Sequence, residues 1–208
     1  MSSRDGRTEL DHESALFRAS TQAYRNAGEP QKAIEKLEPV LKENPDEFRL
    51  CIEYAKALED MGKPYDQSIA ILNFWSVFGL RDARFIAIYA GMLFMSGHLS
   101  EADRVFSETT KREIDFADSV AIHYRPKDKE DPTKHIKLVG KVVRVKAGYA
   151  FIEVAGYSRF LCPSSKQRNI TMREKMQVEF EPAFSAKGAV ADRPVDISHR
   201  YMSGGGPA

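Results

Sequence analysis

Three glycines, Gly28, Gly62 and Gly97, fall 34 and 35 residues apart, and no other feature of the sequence restricts the fold as strongly. Recurrence at that period marks stacked supersecondary units. Each glycine follows an apolar-periodic stretch. Each is followed at similar distance by a small residue, Ala33, Ser68 or Ala102, and four residues later by a large apolar one, Leu37, Leu72 or Phe106. The pattern predicts a helix, a tight turn at glycine, and a second helix whose small side chain lets two backbones approach. Upstream, Phe17, Tyr24 and Ile34 fall at helical spacing in the first unit. Tyr54 with Leu58, and Ile86 with Tyr89 and Leu93, do so in the next two. One such hairpin cannot cover its own apolar face, so the units must stack.

These residues resemble the tetratricopeptide repeat. The family pattern of a large residue, a small one, an aromatic, a turn glycine, an alanine, a large apolar residue and a closing proline is matched by Phe17, Thr21, Tyr24, Gly28, Ala33, Leu37 and Pro45. Ile86, Ala90, Leu93, Gly97, Ala102 and Phe106 supply the third unit, and the second carries one extra residue around Pro64. The resemblance implies a three-repeat helical solenoid over residues 14–117, with a concave groove lined by the first helix of each unit. By position that groove presents Arg18, Gln22, Arg25, Arg49, Lys56 and Arg84, with Ile52 and Glu53 between them. Arginine pairs carboxylates through two parallel hydrogen bonds, so the implied partner is an acidic peptide or a carboxylate terminus. The competing reading is that these are solvated helix faces, because Arg and Lys are good helix formers.

The chain changes character near residue 118. Residues 1–117 carry 15 Lys+Arg against 20 Asp+Glu, net −5, whereas residues 118–208 carry 16 against 10, net +6. The apparent neutrality of the whole chain is thus the sum of an acidic and a basic half. Between them, Arg125 to His135 reads RPKDKEDPTKH, with two prolines and no apolar anchor, which predicts a charged linker over residues 118–136.

Beyond Lys137 the apolar residues alternate at period two. In AGYAFIEV, Ala150, Ile152 and Val154 point to one side while Tyr149, Phe151 and Glu153 point to the other. Further short strands are expected from Tyr157 to Cys162, from Met176 to Phe180 and from Val190 to Ile197. Five strands in about sixty residues suggest a small closed barrel of the oligonucleotide-binding kind. Residues 198–208, ending SGGGPA, read as a flexible tail.

This stretch resembles the cold-shock domain over residues 137–197. The resemblance is carried by Gly140 to Arg144, by KAGYAFI from Lys146 to Ile152, by Arg159 to Cys162, by Val178-Glu179-Phe180 and by Gly188 to Ala191. That family stacks the bases of single-stranded RNA or DNA on aromatic side chains of its second and third strands. Carried over by position, Tyr149, Phe151 and Phe160 are the implied platform. Arg144 adds a further stacking plane, and Lys141, Lys146, Arg159, Lys166 and Arg168 lie near the phosphates.

Other classes find no support in the residues. Two cysteines, Cys51 and Cys162, build no disulfide framework, and no CxxC or HExxH offers metal-ligand spacing. The five histidines are scattered, and no nucleophile, paired carboxylate or phosphate-cradling loop can be read. No enzyme activity, metal or cofactor is therefore expected. With no apolar run long enough for a membrane and a polar N-terminus, the chain reads as soluble and cytoplasmic. The sequence points to a multidomain protein, helical and then β. It is expected to be an adaptor that takes a protein partner on its repeats and single-stranded nucleic acid on its barrel. The alternatives are a purely protein-binding scaffold, whose barrel no longer binds nucleic acid, and the accessory or sensor region of a larger complex.

Overall fold

A computed structural model describes residues 5–43, 47–111, 114–157, 159–167 and 170–199. Pro45 of the repeat pattern, Arg168 of the expected phosphate contacts and residues 200–208 of the expected tail lie outside them. Helices come first and a closed β-barrel follows. The helices are α1 (Asp5–Asn26), α2 (Pro30–Glu43), α3 (Phe48–Asp60), α4 (Tyr65–Gly79), α5 (Ala83–Met95), α6 (Leu99–Lys111) and the short α7 (Phe116–Val120). The strands are β1 (Leu138–Lys146), β2 (Tyr149–Glu153), β3 (Arg159–Pro163), β4 (Gln177–Ser185) and β5 (Gly188–Asp196).

The three periodic glycines end α1, α3 and α5 in one local geometry. Gly28, Gly62 and Gly97 have φ of 76°, 67° and 87°, a left-handed conformation that costs glycine little. At each, the following amide donates back to the carbonyl five residues earlier: Glu29 to Tyr24, Lys63 to Leu58 and His98 to Leu93. This is the glycine-terminated helix cap that satisfies orphan carbonyls and reverses the chain. The small residues behave as expected. Ala33, Ser68 and Ala102 are buried, and Ser68 Oγ donates to the Ala55 carbonyl at 3.1 Å.

The chain divides into two compact units: residues up to Gly79 with Lys129–Pro132, and Leu80–Asp128 with Thr133 onward. The first holds α1–α4 around Ala33, Ile34, Ala57 and Leu58, with Tyr24, Tyr54, Met61 and Ile71 packed against them. In the second, the third helical hairpin and the barrel share a core.

Helix α5 is buried along its length, from Phe85 to Phe94, which explains why its sequence is apolar all round. Asp82 caps it by accepting from the Phe85 amide at 3.0 Å. It packs on β4, where the Phe184 ring meets Phe94 at 5.5 Å and Tyr124 at 5.8 Å. Gly91 permits this approach: a Cβ there would sit 2.5 Å from the Tyr124 ring and 2.9 Å from that of Phe184. Tyr124 falls within the stretch read as linker, yet it is buried and exchanges backbone hydrogen bonds with Phe184. The same stretch carries the Lys127–His135 bridge.

The barrel closes in the order β1-β2-β3-β5-β4, antiparallel except where β3 meets β5 through the pair Leu161 and Val190. Its interior holds Val142, Ala150, Ile152, Phe160, Cys162, Val178 and Phe180. Strands β4 and β5 form one long hairpin, paired from Val178–Asp196 to Ser185–Gly188. They extend beyond the segments that alternation alone identifies, because Pro182 interrupts the pattern without ending the strand.

Candidate functional site

The alternation in β2 holds: Ala150 and Ile152 are buried, and Tyr149, Phe151 and Glu153 are on the outer face. Pairing then fixes their neighbours. Tyr149 lies between Lys146 on β1 and Pro163 on β3, Phe151 between Arg144 and Leu161, and Glu153 between Lys141 and Arg159. The Tyr149 and Phe151 rings meet edge to face, with centroids 5.4 Å apart at 77°. Both are half-buried.

Lys141, Arg144, Lys146 and Arg159 are exposed, and none has an ion-pair partner among the described residues. The three rows hold one carboxylate, Glu153. The outer face therefore combines an aromatic pair with four uncommitted cations, the composition that binds a flexible polyanion through stacking and phosphate contact. A register irregularity between Val142 and Arg144 lets β1 keep both Lys141 and Arg144 in solvent.

Two expected members are placed elsewhere. Phe160 faces the barrel interior, fully buried between Phe94 at 5.2 Å and Phe180 at 5.0 Å, so it is core and not platform. The outward residues of β3 are Arg159, Leu161 and Pro163. Strict alternation counted from Arg159 identifies Leu161, but Arg-Phe-Leu-Cys-Pro is apolar on both sides and the aromatic was the more prominent residue. Lys166, in the single turn Ser164–Lys166, reaches Asp192 at 3.4 Å, beside Arg125 at 2.7 Å. Burial pushes the Asp192 carboxyl up, but the Arg125 hydrogen bond and the Lys166 charge outweigh it and hold the group below the usual carboxylate range. Lys166 is thus engaged in tying its own turn to β5, on the carboxylate that also holds Arg125.

The helical stripe is divided. Arg25 lies almost out of solvent, with its guanidinium 2.8 Å from Glu53 and 2.6 Å from Asp60, both buried. It cross-links α1 to α3 and cannot reach a peptide. Gln22 and Arg49 are exposed, Arg18 and Lys56 half-exposed, and the Arg49 guanidinium sits over the Phe48 ring. Arg84 belongs to α5, in the other unit. Cys51 and Cys162 are buried, and burial pushes their thiols up to about 12 and about 11, so both stay protonated at neutral pH.

No protein-family model matches this chain, and no curated protein matches it. Among solved structures it is similar to the type III secretion translocator chaperone SycD of Yersinia enterocolitica, at 17% identity and TM-score 0.42 over 49% of this chain and 75% of that one. A second SycD structure, in an alternative dimer, aligns at 17% identity and TM-score 0.41 over 47% of this chain and 74% of that one. The protein MamA aligns at 22% identity and TM-score 0.39 over 44% of this chain and 53% of its own. Among the described residues no helix is long and apolar enough to cross a membrane.

Proposed function

We propose that this protein is an adaptor, in which tetratricopeptide-like hairpins take a protein partner and a barrel of cold-shock type contacts single-stranded nucleic acid on the outer face of β1, β2 and β3. The observation that carries the nucleic-acid half is the Tyr149–Phe151 pair set among Arg144, Lys146 and Arg159, cations with no internal partner among the described residues. Cations left unpaired on a barrel that is otherwise rich in ion pairs favour an external anion over a packing role. The protein-binding half is supported by the periodic hairpins, stacked units of the kind that build extended binding surfaces.

Fluorescence anisotropy with labelled single-stranded RNA and DNA, at two salt concentrations, tests the barrel. Binding should weaken as salt rises and should collapse in the Tyr149→Ala, Phe151→Ala double variant. Absence of binding at tens of micromolar protein, or indifference to the double variant, leaves a purely protein-binding scaffold as the function. A pull-down with and without nuclease separates the two halves, since a partner held by the hairpins survives nuclease and one bridged by nucleic acid does not.

A further inference from the structure

Within the second unit, the outer face of β2 and β3 does not end in open solvent. Phe151 and Leu161 line a cavity of about 500 Å3, together with Phe94 of α5 and Phe106 of α6. That volume lies within the range of sites that take a small organic ligand. The walls are largely aromatic and aliphatic, and three charged residues line the space: Asp103 from α6, Arg159 from β3 and Lys187 from the turn between β4 and β5, so that Asp103 is the one acidic residue of the lining among the described residues. Asp103 and Arg159 are exposed, and neither has an ion-pair partner among the described residues. Phe151 and Arg159 belong at once to the barrel face and to this cleft, so a strand crossing the face would arrive at the cleft mouth.

We propose that the cleft receives the base of one nucleotide of that strand, and that the base it selects is guanine. The inference rests on the reading of the barrel face as a single-strand binder and adds a specificity to it. Phe106 and Phe151 both line the cavity and offer aromatic surface to a flat ring, and Arg159 supplies a cation for the attached phosphate. The choice of base follows from Asp103. An ionised carboxylate only accepts hydrogen bonds, and its two oxygens match two adjacent donors. The Watson–Crick edge of guanine presents such a pair in its ring N–H and its exocyclic amine. Adenine and cytosine set one donor beside an acceptor, and uracil flanks its single donor with two carbonyls. Against a carboxylate those acceptors repel.

The test uses the full chain and three labelled pentanucleotide RNAs: all uridine, uridine with one central guanosine, and the same with inosine, which lacks the exocyclic amine. The guanosine oligonucleotide should bind about tenfold more tightly than oligouridine, with inosine between them. Asp103→Ala should abolish the preference while leaving oligouridine binding as tight or tighter, and an exposed side chain with no ion-pair partner among the described residues can be removed without unfolding the protein. Phe106→Ala should lower affinity for the guanosine oligonucleotide more than for oligouridine. Equal binding of all three RNAs by the unaltered protein, or a guanosine preference that survives Asp103→Ala, overturns the cleft assignment and leaves the barrel-face reading standing. Failure of every oligonucleotide to bind removes both. A dimer in sedimentation velocity that Val120→Asp dissolves would place a second copy of the chain in the cleft, and would also overturn the assignment.

Discussion

Arg25 and Arg144 both stand in basic stripes that the sequence nominates for binding, and their surroundings make them different objects. Arg25 is enclosed by Glu53 and Asp60, contributed by the next hairpin 28 and 35 residues away. Arg144 lies opposite an aromatic ring on an exposed strand and meets no carboxylate among the described residues. The first is a clamp between α1 and α3, and the second stays in solvent. A cation in a sequence pattern is therefore a candidate for recognition only once its long-range neighbours are known. The barrel face keeps its charges available, whereas the helical stripe has already used its central one.

The sharpest way to break this contrast is to delete each cation and compare stability with binding. Arg25→Ala should destabilise the protein by about 3–5 kcal/mol in urea denaturation, because it removes the guanidinium from two buried carboxylates. Arg144→Ala should change stability by no more than about 0.5 kcal/mol. A mild Arg25→Ala would return that residue to the peptide surface. The two phenylalanines of β2 and β3 offer the same test for aromatics. Phe160→Ala should cost about 3–5 kcal/mol of stability through the cavity left between Phe94 and Phe180. Phe151→Ala should instead lower oligonucleotide affinity by about 1–3 kcal/mol, the contribution of one stacked base, read by anisotropy. If both residues changed only stability, the outer face would be structural.

Smaller effects sharpen the electrostatic side. Arg144→Gln with Lys146→Gln should flatten the plot of log affinity against log salt by about 0.7 for each phosphate no longer neutralised, the value for single strands. An unchanged slope would remove both residues from the phosphate path. The internally paired cations should show themselves in pH dependence instead. Because the folded protein holds the Asp192 carboxyl below its ordinary range, the unfolded chain binds that proton more readily. The stabilisation from Arg125 and Lys166 is then complete above about pH 4 and is lost as pH falls through the lowered folded value. Asp192→Asn should flatten the acid limb of Tm against pH and leave the slope between pH 5 and 7 unchanged. A persistent acid limb would assign it to other carboxylates.

Much of the fold was legible because it rests on local rules. The turn glycines need a left-handed φ, and the small residues after them need close helix contact. The alternation in β2 separates inside from outside, and the structure follows each of these. What could not be read depends on distant partners. Nothing near Arg25 announces Glu53 and Asp60, and nothing in Arg-Phe-Leu-Cys-Pro tells which apolar side faces in. The grouping of α5 with the barrel depends on Gly91 meeting Tyr124 and Phe184, residues more than thirty positions away in sequence. Asp103 and Phe106 gave no signal of a binding role, since on α6 they look like an ordinary polar face and an ordinary core position.

The closure of the barrel through Leu161 and Val190 has a consequence for motion. Parallel pairing is somewhat weaker per residue than antiparallel pairing, and here one register pair joins two strands that are otherwise held by long antiparallel neighbours. Such a seam is expected to open at lower free energy than the long β4–β5 hairpin, and the amides at Leu161 and Val190 should then exchange with solvent before those of the hairpin. Leu161 and Val190 also line the cleft. An occupant seated there would hold the seam shut, and the slowing of exchange at these two residues would report its arrival without any label on the ligand.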